Sequence, residues 1–279
     1  MPNFVLLVVL AAALLHTSWN LLVKRGGVST RATTAVIYTV AGLLAALMLP
    51  FLPPLPRVAW PYLVSSTGVE VLYGVLLAAA YRVGDLSLAY PLMRGTAPLL
   101  VALGSGALVG ETLSAVIWGG VALVSGGILV MILDARPHGH ARAAIRLALL
   151  NAFMIAAYTL IDGRGVRASG APLSYGAWIF VLTGIPWLLW LLVRGRAEVR
   201  TAPRLLGIGL IGGACSLASY VAALWAMTRA PVAAVAAVRE SSILFATALG
   251  AVVLGERITP ARALAAVGIV AGVVLIRSG

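Results

Sequence analysis

Charge is scarce in this chain. Only 10% of its 279 residues are Asp, Glu, Lys or Arg, whereas a soluble globular protein uses about a quarter. That shortage excludes an ordinary water-soluble domain. Cysteine is nearly absent too: the single Cys215 rules out an internal disulfide and a thiolate metal cluster, and its small neighbours suit inert packing. Histidine is equally thin, with His16, His138 and His140. His138 and His140 fall in a polar connection, no HExxH or GxSG occurs, and three histidines so placed form neither a metal site nor a catalytic triad. The chain is therefore not expected to be an enzyme or to need a cofactor. Asp85, Asp134 and Asp162 fall at the ends of apolar runs and read as solvated loop charges.

What is present is hydrocarbon. Hydrophobic residues make up 62% of the chain, in runs long enough to cross ~30 Å of lipid with ~20 residues each. Spans are expected at Asn3 to Val23, Thr33 to Leu52, Pro61 to Tyr81, Leu86 to Val109, Leu113 to Leu133, Ala144 to Ile161, Leu173 to Val193, Leu205 to Met227, Pro231 to Leu254 and Ile258 to Ile276. The runs are continuous and do not alternate, so they predict helices and not barrel strands. The first run lacks a basic leader and continues into His16, Trp19 and Asn20, which favours a retained span over a signal peptide. The expected class is an all-α integral membrane protein of ten transmembrane helices.

The formal charge of +12 lies between the spans and forms no stripe with interleaved aromatics, so nucleic acid is not an expected partner. Lys24, Arg25, Arg31, Arg82, Arg136, Arg142, Arg146, Arg194, Arg196, Arg200, Arg204, Arg257 and Arg262 follow odd-numbered spans. The opposite side has Arg57, Arg164, Arg167, Arg229 and Arg277. Positive loops stay in the cytoplasm, which puts both termini outside a cell membrane, the inner membrane of a bacterium.

The chain repeats itself. Leu86 to Glu111 reads LSLAYPLMRGTAPLLVALGSGALVGE, and Pro231 to Glu256 reads PVAAVAAVRESSILFATALGAVVLGE, with Arg94 aligned on Arg239 and Gly110-Glu111 on Gly255-Glu256. Trp19-Asn20-Leu21 aligns on Tyr158-Thr159-Leu160. Residues 1–135 and 144–279 are then two five-helix repeats. Five crossings is an odd number, so the second copy enters the membrane inverted, related to the first by an axis in the membrane plane. Gly209 with Gly213 and Gly268 with Gly272 are four apart and predict close helix packing. Trp60, Trp178, Trp187 and Trp190 suit interfacial positions.

A charge at the bilayer centre costs roughly 3 kcal/mol on insertion scales and marks function by default. Arg94 is eight residues into its span, ~12 Å deep at 1.5 Å per residue. Arg239 and Glu240 reach the same depth from the other side, and Glu70 and His16 lie near the centres of their spans. His16 shares a helix face with Asn20, beside Trp19, and Glu70 shares one with Tyr73. Tyr158, Ser216, Ser219 and Tyr220 supply the corresponding polar lining in the second copy. Two explanations stay open: Arg94, Glu70, Arg239 and Glu240 pin helices as buried ion pairs, or the arginines hold an anionic group while Glu70 or Glu240 holds a cation or proton. The second pattern suits a zwitterion. His16 is either a satisfied core histidine or part of a proton relay that needs Glu70 nearby.

Ten spans, a five-plus-five repeat and Gly-Glu closing the fourth span of each copy resemble the EamA family of the drug/metabolite transporter superfamily, over nearly the whole chain. HTSWNLLVK, His16 to Lys24, is similar to members found near phosphonate-use genes. The resemblance implies a transporter, with export favoured, of an amino acid or other metabolite, or alternatively of a phosphonate, a sugar or an amine-like compound. It also implies that Glu111 and Glu256 are structural hallmarks, which chemistry explains by a place at the positive N-terminal end of the helix that follows each. The expected site is His16, Trp19, Asn20, Glu70, Tyr73, Arg94, Tyr158, Tyr220, Arg239 and Glu240, with Glu70, His16 and Glu240 as proton-coupling candidates. The expected partners are a small-molecule substrate and membrane lipid, for a monomer or a homodimer.

Overall fold

A computed structural model describes residues 1–25, 29–83, 86–134, 141–195, 204–254 and 257–279. Every regular element among them is helical: α1 (Asn3–Arg25), α2 (Thr30–Met48), α3 (Trp60–Val83), α4 (Leu86–Val109), α5 (Ala115–Val130), α6 (Ala141–Ser169), α7 (Pro172–Trp190), α8 (Arg204–Met227), α9 (Val232–Arg239), α10 (Ser242–Leu254) and α11 (Pro260–Ser278). Nine of the described helical stretches are long and apolar enough to cross a membrane. The helix α3 is also long but falls outside that set. Asp85, His138, His140, Gly255 and Glu256 lie outside the described residues.

Two boundaries differ from expectation. The helix α6 continues to Ser169, well past Ile161, so Asp162, Arg164 and Arg167 are helical residues and not loop charges. The ninth crossing is broken in two: α9 stops at Arg239 and α10 starts at Ser242.

Local chemistry sets the ends. The hydroxyls of Ser29, Ser114 and Thr259 accept from the backbone N–H groups of Ala32, Ile117 and Arg262, each at 3.2 Å, and so cap α2, α5 and α11. Gly110 ends α4 at φ +77°, a backbone region that favours glycine. Its amide donates to Gly106 O and that of Glu111 to Ser105 O, both at 3.2 Å. This turn swings Glu111 away from α4.

The helices pack in pairs that are distant in sequence: α1 on α8, α2 on α7 and α8, α3 and α4 on α6, and α5 on α11. Small residues allow the closest approaches. A Cβ on Gly268 would meet Gly127 Cα at 2.9 Å, and one on Gly42 would meet Phe180 O at 2.8 Å. Gly209, Gly213 and Gly272 likewise face neighbouring helices, as their spacing predicts. Leu47, Leu103, Phe153 and Val252 point outward and are well exposed. A belt of large apolar side chains suits lipid, and the chain is an integral membrane protein. At the middle lies α9, with every residue from Val232 to Val238 at most 9% exposed.

Candidate functional site

The broken crossing organises the site. A helix that stops inside the bilayer leaves backbone carbonyls without intrahelical partners, which is tolerated only inside protein or beside a polar cavity. Here α1 ties down the start of α10: the Thr17 hydroxyl lies 2.8 Å from the Ser242 carbonyl and 3.1 Å from that of Ala13. Tight turns bridge the gap, with Glu240 N donating to Ala237 O and Ile243 N to Glu240 O. Arg239 and Glu240 stand at this break, with Glu240 only 5% exposed.

The two arginines that align in sequence have different partners. Arg94, on α4, meets Glu240 at 2.9 Å between Nε and Oε2, with side chains 12% and 6% exposed. The contact is an ion pair without the alignment of a hydrogen bond. Arg239 places its guanidinium 5.5 Å from the centre of the Tyr220 ring, within cation–π range, and acts electrostatically on Glu70, Asp162 and Glu240. Arg94 and Glu240 are thus paired with each other, while Arg239 lies against Tyr220 and acts on the central acids.

Asp162 is the main correction. It is fully buried and not a solvated loop charge. Its two oxygens accept from different helices, Oδ1 from the Tyr175 hydroxyl at 3.0 Å and Oδ2 from Tyr220 through a short hydrogen bond. The same Tyr220 hydroxyl lies 3.3 Å from Glu70 Oε1. Buried Ser66 stands beside Asp162 as well, its hydroxyl unaligned for a hydrogen bond. Helices α3, α6, α7 and α8 thus converge on two carboxyl groups joined by one phenol.

Aromatic rings wall the centre. Trp19 contacts Tyr38 at 6.0 Å, and Tyr38 stacks on Phe180 at 6.4 Å and on Trp187 at 6.0 Å. Phe180 meets Tyr220 at 6.0 Å, and Tyr73 meets Tyr158 at 5.9 Å. His16 packs edge-on against Trp19 at 5.4 Å. Asn20 donates to the His16 carbonyl at 2.7 Å and is exposed, so its amide hydrogen bonds within its own helix. Ser219 donates to Ala12 O at 2.7 Å and holds α8 to α1. Sequence reasoning missed Asp162, Tyr175, Tyr38, Phe180 and Thr17. Only Asp162 had a usable signal, since it lies four residues after Tyr158 and shares its helix face.

Glu111 also differs from expectation. The helix that follows it, α5, is capped by Ser114. Glu111 instead receives the Val232 amide on both oxygens, at 2.9 and 3.0 Å, and so caps α9. Arg167 closes the arrangement, meeting Glu111 Oε1 at 2.5 Å and donating to Met227 O at 2.7 Å and Ala230 O at 3.0 Å. Nearby, a cavity of about 310 Å³ is lined by Val166, Arg167, Gly170, Pro172, Trp225, Thr228 and Arg229. It shares no residue with the central group, where oppositely charged side chains converge, so the centre is the better candidate.

Residues 142–278 match the model of the EamA-like transporter family. No curated protein matches the sequence. A crystal structure of a protein of similar length matches with a TM-score of 0.75 and 21% identity, over 99% of this chain and 96% of that one. At that identity the likeness shows the fold alone.

Proposed function

Because the chain belongs, through residues 142–278, to the EamA-like transporter family, we propose that it is a secondary active transporter. Its substrate is a small zwitterionic metabolite such as an amino acid, exported by alternating access around the midplane and coupled to protons. One observation carries this reading: a helix buried from Val232 to Val238 ends at Arg239, whose guanidinium lies 5.5 Å from the ring of Tyr220, the phenol that joins the Glu70 and Asp162 carboxyls. A broken helix at the midplane is a recurrent way to build a transport site. Arg239 is suited to a substrate carboxylate, the acidic pair to an ammonium or a proton, and Trp19, Tyr38, Tyr73 and Tyr158 to the apolar part between them.

Two five-helix repeats of opposite orientation supply the moving parts in this proposal. Helix pairing supports it. Exchanging the chain halves maps α1 on α8 onto α6 on α3, and leaves α2 on α7 and α5 on α11 unchanged. The arginine distribution favours termini outside and the richer loops in the cytoplasm.

The first test is thermal unfolding of the purified protein with amino acids, phosphonates, sugars and amines, since a ligand of the folded state raises the midpoint. A zwitterionic amino acid should give the largest rise, and Arg239→Ala and Glu70→Gln should each abolish both that rise and transport in proteoliposomes. Undiminished transport by both variants would sink the site assignment.

A further inference from the structure

The phenol of Tyr220 has one proton and faces two carboxyl groups. It donates to Asp162 Oδ2, so its oxygen can only accept from a second partner. That partner is Glu70 Oε1 at 3.3 Å. A carboxylate has no proton to donate, and two lone-pair-bearing oxygens facing each other in a buried site repel. From this contact geometry we infer that Glu70, Tyr220 and Asp162 form one proton-holding unit, with a single acidic proton shared by the two carboxyl groups, and that Asp162 is as much part of the coupling centre as Glu70.

The surrounding groups fit one proton better than two or none. Asp162 is already satisfied as an acceptor, by Tyr175 from α7 and Tyr220 from α8, so the proton rests on Glu70 in the observed arrangement. From α9, Arg239 is the cation that acts on both acids, and one cation matches one net negative charge. From α3 and α6, Tyr73 and Tyr158 flank the unit, and Tyr38 approaches from α2. Arg94 and Glu240 neutralise each other, and His16 packs on Trp19.

The relay conserves protons. When the Glu70 O–H donates fully to the phenol oxygen, the phenol's own proton passes to Asp162 Oδ2. The charge moves from Asp162 to Glu70, and the unit still holds one acidic proton. The unit thereby carries a proton between α3 and α6, which belong to different halves of the chain. This rests on the transporter reading, but it is testable without a substrate.

Infrared difference spectroscopy of the purified protein in lipid reads protonated carboxyl groups directly. At neutral pH the wild type should show one carboxylic-acid band that shifts in heavy water. Glu70→Gln and Asp162→Asn should each reduce that band to background, because the remaining acid ionises beside Arg239. No band in the wild type, or a band that survives either substitution, overturns the proposal. If those variants do not insert, Tyr220→Phe retains both acids but should shift the band frequency, and an unchanged frequency also overturns it. These outcomes are independent of transport, so failure here leaves the transporter reading to its own assay.

Discussion

Arg94 and Glu240 come from helices far apart in sequence and form an ion pair with almost no exposure. Removing one member leaves the other charge buried, a loss of about 3–5 kcal/mol. Arg94→Met and Glu240→Met should therefore each lower the unfolding midpoint markedly, while the two changes combined should recover much of the loss. Additive losses in that cycle would show that the pair is not coupled. Glu111 makes a graded case. Glu111→Ala leaves the buried Val232 amide without an acceptor, at about 1–3 kcal/mol, and removes the partner of Arg167. Glu111→Gln keeps a carbonyl oxygen for the amide, so its unfolding midpoint should fall less than that of Glu111→Ala. The central charges were legible in the sequence because a charge in hydrocarbon is costly and so stands out among apolar neighbours. Asp162 was not, because Asp162-Gly163-Arg164 looks like a loop and only the tertiary placement of Tyr175 and Tyr220 makes it an interior residue.

At the scale of elements, the break between α9 and α10 was hidden for a physical reason. Arg239-Glu240-Ser241 contains neither proline nor glycine, and the interruption is bridged by its own tight turns, with Thr17 from α1 bonding the start of α10. Thr17→Val removes the hydroxyl that bonds the Ser242 carbonyl and should cost about 0.5–1.5 kcal/mol, whereas Thr17→Ser should retain most of the stability. Equal unfolding midpoints for the two would show that the hydroxyl does not support the break. The glycine spacing was legible because close backbone approach needs small residues at every fourth position, and Gly268 meets Gly127 as that rule requires. Gly268→Leu should wedge α11 from α5 and prevent a monodisperse preparation, as size-exclusion chromatography would show. The cap of α9 was not legible, since no local pattern signals that a glutamate will serve a helix more than a hundred residues away.

For the whole molecule, the described residues place the amino group of Met1 3.1 Å from Arg277 O and Arg277 Nε 3.0 Å from Asn3 Oδ1, so the two chain ends share one face of the bundle. The single cysteine makes their side of the membrane measurable. On a Cys215→Ser background, Ala168→Cys and Ser278→Cys, both at exposed positions, should react with an impermeant thiol reagent added outside intact cells, and labelling only after lysis would reverse the proposed orientation. That the described residues are helical and apolar was readable from hydropathy alone, because lipid demands continuous apolar runs, although nine and not ten of the stretches qualify as spans. Which helices touch was not readable, because hydropathy contains no partner information. The contact between Glu111 and α9 bears finally on how the protein is made. Glu111 is synthesised before Val232 and must already be in the membrane when α9 arrives, so the later half cannot complete its own centre. Expressed as two separate polypeptides, residues 142–279 should be degraded alone and rescued by co-expression with the earlier piece, but not by an earlier piece carrying Glu111→Ala.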